Sequence, residues 1–364
     1  MNPLDLLLER NFNIWNFGMG IPNNAAAIEA AKAWLLIPSR PPRCPNCRVR
    51  MCREVKESYK LGYRWRCWRC TRARDERQKT LSPLAKTFFA RGKVSMVAYL
   101  RLMVHFLRRD KVSQAAKDVG VARKSASQVY HFLREVCEVA EAHDRVKIGG
   151  VDDVVEVDET HLYTRKYHRG RLLRRQTWSF GCLSRKDKHI HVELIPDKTR
   201  ATLDPIVESN VEQGSFIMSD MHRAYMGIDQ RLGMRGHAVV NHSIQFVNGT
   251  VAIPVDPALG DPIPGTANVC VKVHTNTLER QWLELKRHCR SCRDERRLKW
   301  YMGEFMYRNN VLRALPSDAA RFRRLLRDIH RVYPGYERRG IKIRRCRCRP
   351  NCPRQSLLAN QTCT

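Results

Sequence analysis

Val154-Val155-Glu156-Val157-Asp158-Glu159-Thr160 is a short β-branched run that ends on carboxylates. Such a run predicts a strand, and the apolar runs 177–182, 189–195 and 215–219 predict three more. Between the third and fourth, residues 201–211 carry an amphipathic helical pattern behind Thr199 as its cap. Three antiparallel-prone strands, a helix and a short buried strand open an α/β fold. The fourth run, Phe216-Ile217-Met218-Ser219, ends on Asp220, and His222-Arg223-Ala224-Tyr225 behind it is expected to open a helix. Asp158 and Asp220 therefore share one setting, an acid at a strand end facing the crevice where α/β sheets place their sites. Solvated or capping aspartates occupy such places too, so the pair alone decides little.

A third carboxylate comes from His274-Thr-Asn276-Thr-Leu278-Glu279-Arg-Gln-Trp282-Leu-Glu-Leu285-Lys286-Arg287. Leu278, Trp282 and Leu285 form one helical face, and Glu279 precedes Lys286 by seven residues, so both project from the same side two turns apart. A carboxylate and a cation placed that way can serve one metal and one nearby phosphate, and an ordinary solvated Glu and Lys is the alternative. Hard Mg²⁺ or Mn²⁺ prefers carboxylate oxygen, and two such ions about 4 Å apart clamp a phosphodiester between attacking and leaving oxygens. Asp158 is read as the first of three metal-binding carboxylates. Strand alternation puts Glu156 on its face as a rival and turns Glu159 away as a spectator.

The composition agrees with a polyanionic substrate. Lys and Arg number 67 against 36 Asp and Glu, a net charge of +31 spread along the whole length. Each cation laid on a phosphate releases condensed counterions, so double-stranded DNA is the expected partner. No apolar run approaches the ~20 residues that span a bilayer. Neither a lipidation signal nor a basic region ahead of an apolar leader is present, so a soluble intracellular protein without membrane attachment is expected.

The fourteen cysteines cluster. Cys44-Pro-Asn-Cys47 and Cys67-Trp-Arg-Cys70 are two Cys-x-x-Cys knuckles whose thiolates suit one tetrahedral Zn²⁺, with Tyr59, Tyr63 and Trp65 between them alternating as strands do. Cys52 is a bystander. Residues 82–110 read as helical, and Val112-Ser-Gln-Ala115-Ala116 through Gly120 to Ser125-Ala-Ser127-Gln128-Val129 reads as helix, glycine turn and second helix. Arg123, Lys124, Ser127 and Gln128 would then face a DNA groove. A plain packing helix is expected over 23–36, a loop or hairpin over 246–272, a packing helix over 301–312 and a basic amphipathic helix over 317–332. Cys289 and Cys292 are an isolated thiol pair, and the basic, Cys-containing tail beyond 338 reads as solvated, with DNA contact or nuclear import as its alternatives.

Several runs together carry a resemblance. Val155-Glu-Val-Asp158-Glu-Thr160, Trp178-Ser-Phe-Gly181, Ser219-Asp220-Met-His-Arg-Ala-Tyr225, Val240-Asn-His242-Ser243 and His274-Thr-Asn-Thr-Leu-Glu279 with Trp282 and Leu285-Lys286-Arg287 resemble the DDE transposases of the Merlin superfamily and the bacterial ISXO-type insertion-sequence transposases. The resemblance implies an RNase H-like catalytic domain preceded by a zinc ribbon and a helix-turn-helix region. It implies a triad of Asp158, Asp220 and Glu279 using Mg²⁺ or Mn²⁺, with Asn276 the competing position for the third member. His242 and His274 fall inside these motifs, as phosphate contacts or as structural histidines. The expected division is an N-terminal helical segment at 1–40, zinc ribbon at 41–75, helix-turn-helix region at 80–145, catalytic domain at 150–315 and C-terminal helix and tail at 316–364. The implied activity is cleavage and strand transfer of transposon-end DNA by a homo-oligomer, in the nucleus of a eukaryote or the cytoplasm of a bacterium. A non-catalytic DNA-binding regulator and a nuclease without joining activity are the alternatives.

Overall fold

In the computed structural model, residues 12–72, 80–90, 92–162, 177–240, 249–290, 292 and 294–335 are described. The chain divides into two units, Met1–His143 with Leu315–Thr364, and Asp144–Ala314.

The first unit opens with α1 (Ile14–Gly20) and α2 (Asn24–Ala33). Each starts where an asparagine side chain, Asn13 or Asn23, accepts from a backbone N–H that the helix itself leaves unpaired. Next come β1 (Cys52–Val55), β2 (Tyr63–Arg66), α3 (Trp68–Arg72) and β3 (Thr80–Leu81), the strands forming one antiparallel sheet. Then α4 (Met96–Leu107), α5 (Val112–Val119) and α6 (Arg123–Asp144) follow. Buried Ala27, Ala30 and Ala31 let α2 pack closely against α4. The helix Asp318–Val332, from the far end of the chain, belongs to this same unit: its Phe322 ring meets Phe12, Phe17 and Trp34.

One expectation is corrected here. The helix read over 82–110 begins only at Met96, where the Ser95 hydroxyl caps Ala98 N at 3.3 Å. Pro83 and a left-handed Lys86 (φ +61°) hold the preceding stretch in turns, and Thr87 Oγ1 donates to Leu84 O at 2.6 Å. Apolar residues there supply packing without helical hydrogen bonds.

The second unit is built on β4 (Val154–His161), β5 (Trp178–Ser184), β6 (Ile190–Ile195), α7 (Arg200–Asn210), β7 (Phe216–Asp220), α8 (Ile228–Leu232) and β8 (Gly236–Val240). Its five strands lie in the order β6-β5-β4-β7-β8, with β4 antiparallel to β5 and parallel to β7. Valines 155 and 157 pack on Leu203, Ile206 and Val207 of α7 and on Tyr225, so the odd-numbered side of β4 faces that helix. The other side is covered in two parts. A three-stranded insertion, β9 (Thr250–Ile253), β10 (Asp261–Pro262) and β11 (Val269–Lys272), packs on Val154, Phe216 and Met218. Then α9 (Asn276–Cys289) and α10 (Glu295–Met306) lay Leu278, Trp282, Leu285 and Phe305 over Leu183, Ile190 and Val192. Cys289 and Cys292 are buried in that layer.

Where a helix was expected to open at His222, the chain makes one 3₁₀ turn, Arg223–Tyr225, because Gly227 (φ +69°) interrupts before α8. The packing helix starts earlier than 301 and runs from α10 into a π-helical turn, Tyr307–Leu312. His242 and the tail beyond 338 lie outside the described residues.

Candidate functional site

The register of the central strands explains how two acids meet. In the β4–β7 pair Glu156 stands opposite Met218, and continuing that parallel register by two residues sets Asp158 beside Asp220. Asp158, Glu159 and Asp220 each offer a carboxylate oxygen, all within 4.8 Å of one another. Glu159 thus joins the cluster that alternation had turned it away from. Its side chain leaves the α7 face of β4 two residues before the strand ends, where the Tyr225 hydroxyl of that same layer donates to Oε1 and Lys198 Nζ stands 3.4 Å from Oε2. Oε2 is buried and accepts no hydrogen bond.

Asp158 feels the crowding most. Burial, then the charges of Asp220 and Glu159, push its carboxyl up to about 7, against a hydrogen bond from Trp282 that favours the ionised form. That bond, Trp282 Nε1 to Asp158 Oδ2 at 2.8 Å, ties α9 to β4. It depends on Gly181 of β5: a Cβ there would lie 2.5 Å from Trp282 Cη2 and 2.9 Å from Cζ2. The glycine leaves the space in which the indole lies over the sheet.

Glu279 and Lys286 sit about one helical turn to either side of Trp282 on α9. Burial draws the Lys286 ammonium below its ordinary range, and the Asp158 charge acts against that, which places the two groups within electrostatic reach. Glu279 is half-buried and is not a member of the carboxylate cluster. Asn276, the other third-position candidate, is exposed at the start of α9.

Glu156 has a different task from the one expected of a rival ligand. It is fully buried; Oε1 accepts from Arg185 Nε at 2.7 Å and Oε2 from Leu278 N at 2.8 Å. Arg185 in turn donates to the carbonyl of Lys272 at 2.8 Å and to His274 O at 2.5 Å. With both oxygens spent, Glu156 fastens the start of α9 to the central strand. Sequence pattern finds Glu156 and misses its partner, because Arg185 stands 29 residues away across a turn.

In the first unit Cys44, Cys47, Cys67 and Cys70 bring their Sγ atoms within 4.8 Å. The Cys44–Cys70 and Cys47–Cys67 distances are 3.8 and 3.4 Å. These approach the ~3.8 Å edge of a tetrahedron with metal–sulfur bonds of about 2.3 Å and far exceed a disulfide bond. The four thiols fit Zn²⁺. Burial raises Cys44, but backbone N–H groups of Cys47 and Asn46 outweigh it and bring the thiol down to about 7, whereas burial and its neighbours push Cys70 up to about 12. Cys52 is exposed on β1 outside the cluster. Of the predicted groove residues, Arg123, Lys124 and Gln128 are exposed and Ser127 is half-buried, all on the first turns of α6 beyond Gly120 (φ +71°).

Sheet and carboxylates together define a mixed α/β domain with an acid-rich site where β7 ends beside β4; Asp158, expected at a strand end, lies inside β4, which continues to His161. Residues 150–310 match the ISXO2-like transposase domain family, which agrees over that span with the resemblance read from the motifs. No curated protein sequence matches the chain. One solved structure found similar is the cryoEM structure of the simian T-cell lymphotropic virus intasome in complex with PP2A regulatory subunit B56 gamma. The match has 12% identity and a TM-score of 0.24 and covers 63% of this chain and 67% of that one. No described helix is long and apolar enough to cross a membrane.

Proposed function

We propose that this protein is a DDE transposase whose RNase H-like domain cleaves transposon-end DNA and joins it to target DNA with two Mg²⁺ or Mn²⁺ ions. The observation that carries the reading is the gathering of Asp158 and Glu159 of β4 with Asp220 at the end of β7, inside the span that matches the ISXO2-like transposase domain family. The strand order β6-β5-β4-β7-β8, with β4 central, supports the RNase H-like assignment.

The acids suit hard cations. Three carboxylates gathered in one partly buried place repel each other, and a divalent ion held by Asp158 and Asp220 would offset that repulsion. Asp158, Asp220 and Glu279 are assigned as metal ligands, Glu279 from α9. Glu159, held by Tyr225 and Lys198, deepens the negative potential. Lys286 holds a phosphate next to the metals. The ions would activate a water or 3′-hydroxyl and stabilise the leaving oxygen.

The cysteine knuckles form a Zn²⁺ ribbon. The α5–Gly120–α6 element is a helix-turn-helix that presents Arg123, Lys124, Ser127 and Gln128 to double-stranded DNA, and the active assembly is a homo-oligomer. Purified protein incubated with Mn²⁺ and DNA carrying the terminal repeats that flank its gene should give cleavage and strand transfer. Asp158→Ala, Asp220→Ala and Glu279→Ala should each abolish both, and Glu159→Gln should retain part. Cleavage without joining identifies a nuclease. Tight DNA binding with neither reaction identifies a regulator and overturns the enzymatic reading.

A further inference from the structure

Arg185 also lines a cavity of about 400 Å³, bounded by Lys188 from the β5–β6 turn, Lys272 at the end of β11, His274 and Thr277 at the entry to α9, and Gly260 and Asp261 of the insertion. Donor accounting separates the roles of its cations. Arg185 is spent: Nε goes to Glu156, Nη1 to Lys272 O, and Nη2 to His274 O and Nδ1. Glu156 offsets its charge. What Arg185 does is fix the backbone from which Lys272 and His274 project.

Lys188 and Lys272 have no ion-pair partner among the described residues, and Asp261 is the one acid in the wall. The contrast with Lys186 is direct. Two residues from Lys188 on the same turn, it sits between Asp152 and Asp256. Lys188 sits at φ +58°, in the left-handed region, within the β5–β6 turn. Burial draws His274 below its ordinary range, with the charge of Arg185 and then those of Lys188 and Lys272 adding to it against Glu156. The N-terminus of the 14-residue α9 adds positive potential. No Phe, Tyr or Trp lines the wall, so the cavity has no platform on which a base would stack.

We infer that Lys188, Lys272 and His274 form a cleft for a DNA-backbone phosphodiester that flanks the phosphate held at the acid cluster. Glu156 joins the two places. It lies two residues before Asp158 on the same strand face, about 7 Å along β4. The inference rests on the transposase reading and assigns the insertion a part in holding the strand.

The test uses the full chain and a DNA duplex in a salt titration, with lysine acetylation read by mass spectrometry with and without DNA. In wild-type protein, DNA should protect Lys188 and Lys272 severalfold and leave Lys186 unchanged. Lys188→Ala with Lys272→Ala should lower the slope of log affinity against log salt by about 1, one phosphate contact, while Lys186→Ala leaves it unchanged. Steep salt-dependent binding by wild type, with both lysines unprotected and the slope of the double variant unchanged, overturns the cleft and leaves the transposase reading standing. Absence of salt-dependent DNA binding in wild type overturns both. Protection by millimolar inorganic phosphate and none by DNA makes the cleft a free-phosphate site and overturns the assignment to the DNA backbone.

Discussion

Replacing Gly181 by alanine tests how the acid site is held. The new methyl would stand 2.5 and 2.9 Å from two carbons of the Trp282 six-membered ring, about 1 Å inside an ordinary carbon–carbon contact, so the indole must swing away. Overpacking of this size costs about 1–3 kcal/mol. Displacing Nε1 from Asp158 removes a hydrogen bond to a charged acceptor, a further ~1.5–3 kcal/mol at a pH where Asp158 is ionised. The two losses overlap, and a drop of about 3 kcal/mol in the stability of the second unit is expected, a fall of very roughly 6–12 °C in its melting midpoint. The decisive assay is a double-mutant cycle with Trp282→Phe, followed by thermal denaturation. Phenylalanine lacks the indole nitrogen and the two carbons that the methyl strikes, so Gly181→Ala should cost little in that background. A coupling of at least 1 kcal/mol follows. Additivity within about 0.5 kcal/mol would show that the glycine does not make room for the indole and would refute the reasoning.

Three further outcomes are expected. Chelation, or Cys44→Ser, should unfold residues 44–70 and release one Zn²⁺ per chain, as read by hydrogen exchange and metal analysis, and Cys52→Ser should change neither. Arg185→Met should cost about 3–5 kcal/mol by leaving Glu156 buried without its counter-charge; Glu156→Gln with Arg185→Met should recover part of that in the same melting assay. Because the Asp158 carboxyl is raised from 3.8 to about 7, ionising it costs metal-free folded protein stability that is lost progressively as pH rises between those values, about 4 kcal/mol at full extent. The advantage of Asp158→Asn over wild type should therefore grow from pH 4, level off above 7 and shrink when Mn²⁺ is added. A flat difference across that range counts against the crowded carboxylates.

Local pattern made β4 to β7 legible because each is a β-branched or apolar run, and it found Asp158 and Asp220 because both follow such runs, although β4 continues past Asp158 to His161; β8, which opens on Gly236 and His237, and the two-residue β10 carry no such run. The face of α9 was equally plain from Leu278, Trp282 and Leu285. What escaped were effects of distance in sequence. Strand alternation gives the side from which Glu159 departs but cannot tell that its carboxylate, held there by Tyr225 and Lys198, still lies within 4.8 Å of those of Asp158 and Asp220. Glu156 had the right face and the wrong role, because its oxygens are claimed by Arg185 and by a backbone N–H 122 residues away. The helix expected over 82–110 shows the reverse error. Apolar spacing at its C-terminal half was carried backward across Pro83 into turns.

The helix Asp318–Val332 closes a unit whose other elements all precede residue 145. During synthesis at about 5–20 residues per second, the whole second unit is made between the two parts of the first. Phe17 and Trp34 must therefore wait tens of seconds for Phe322, while Asp144–Ala314 is free to fold as soon as it emerges. A nascent chain stopped short of residue 318 lacks Phe322 and leaves Phe17 and Trp34 without that ring contact.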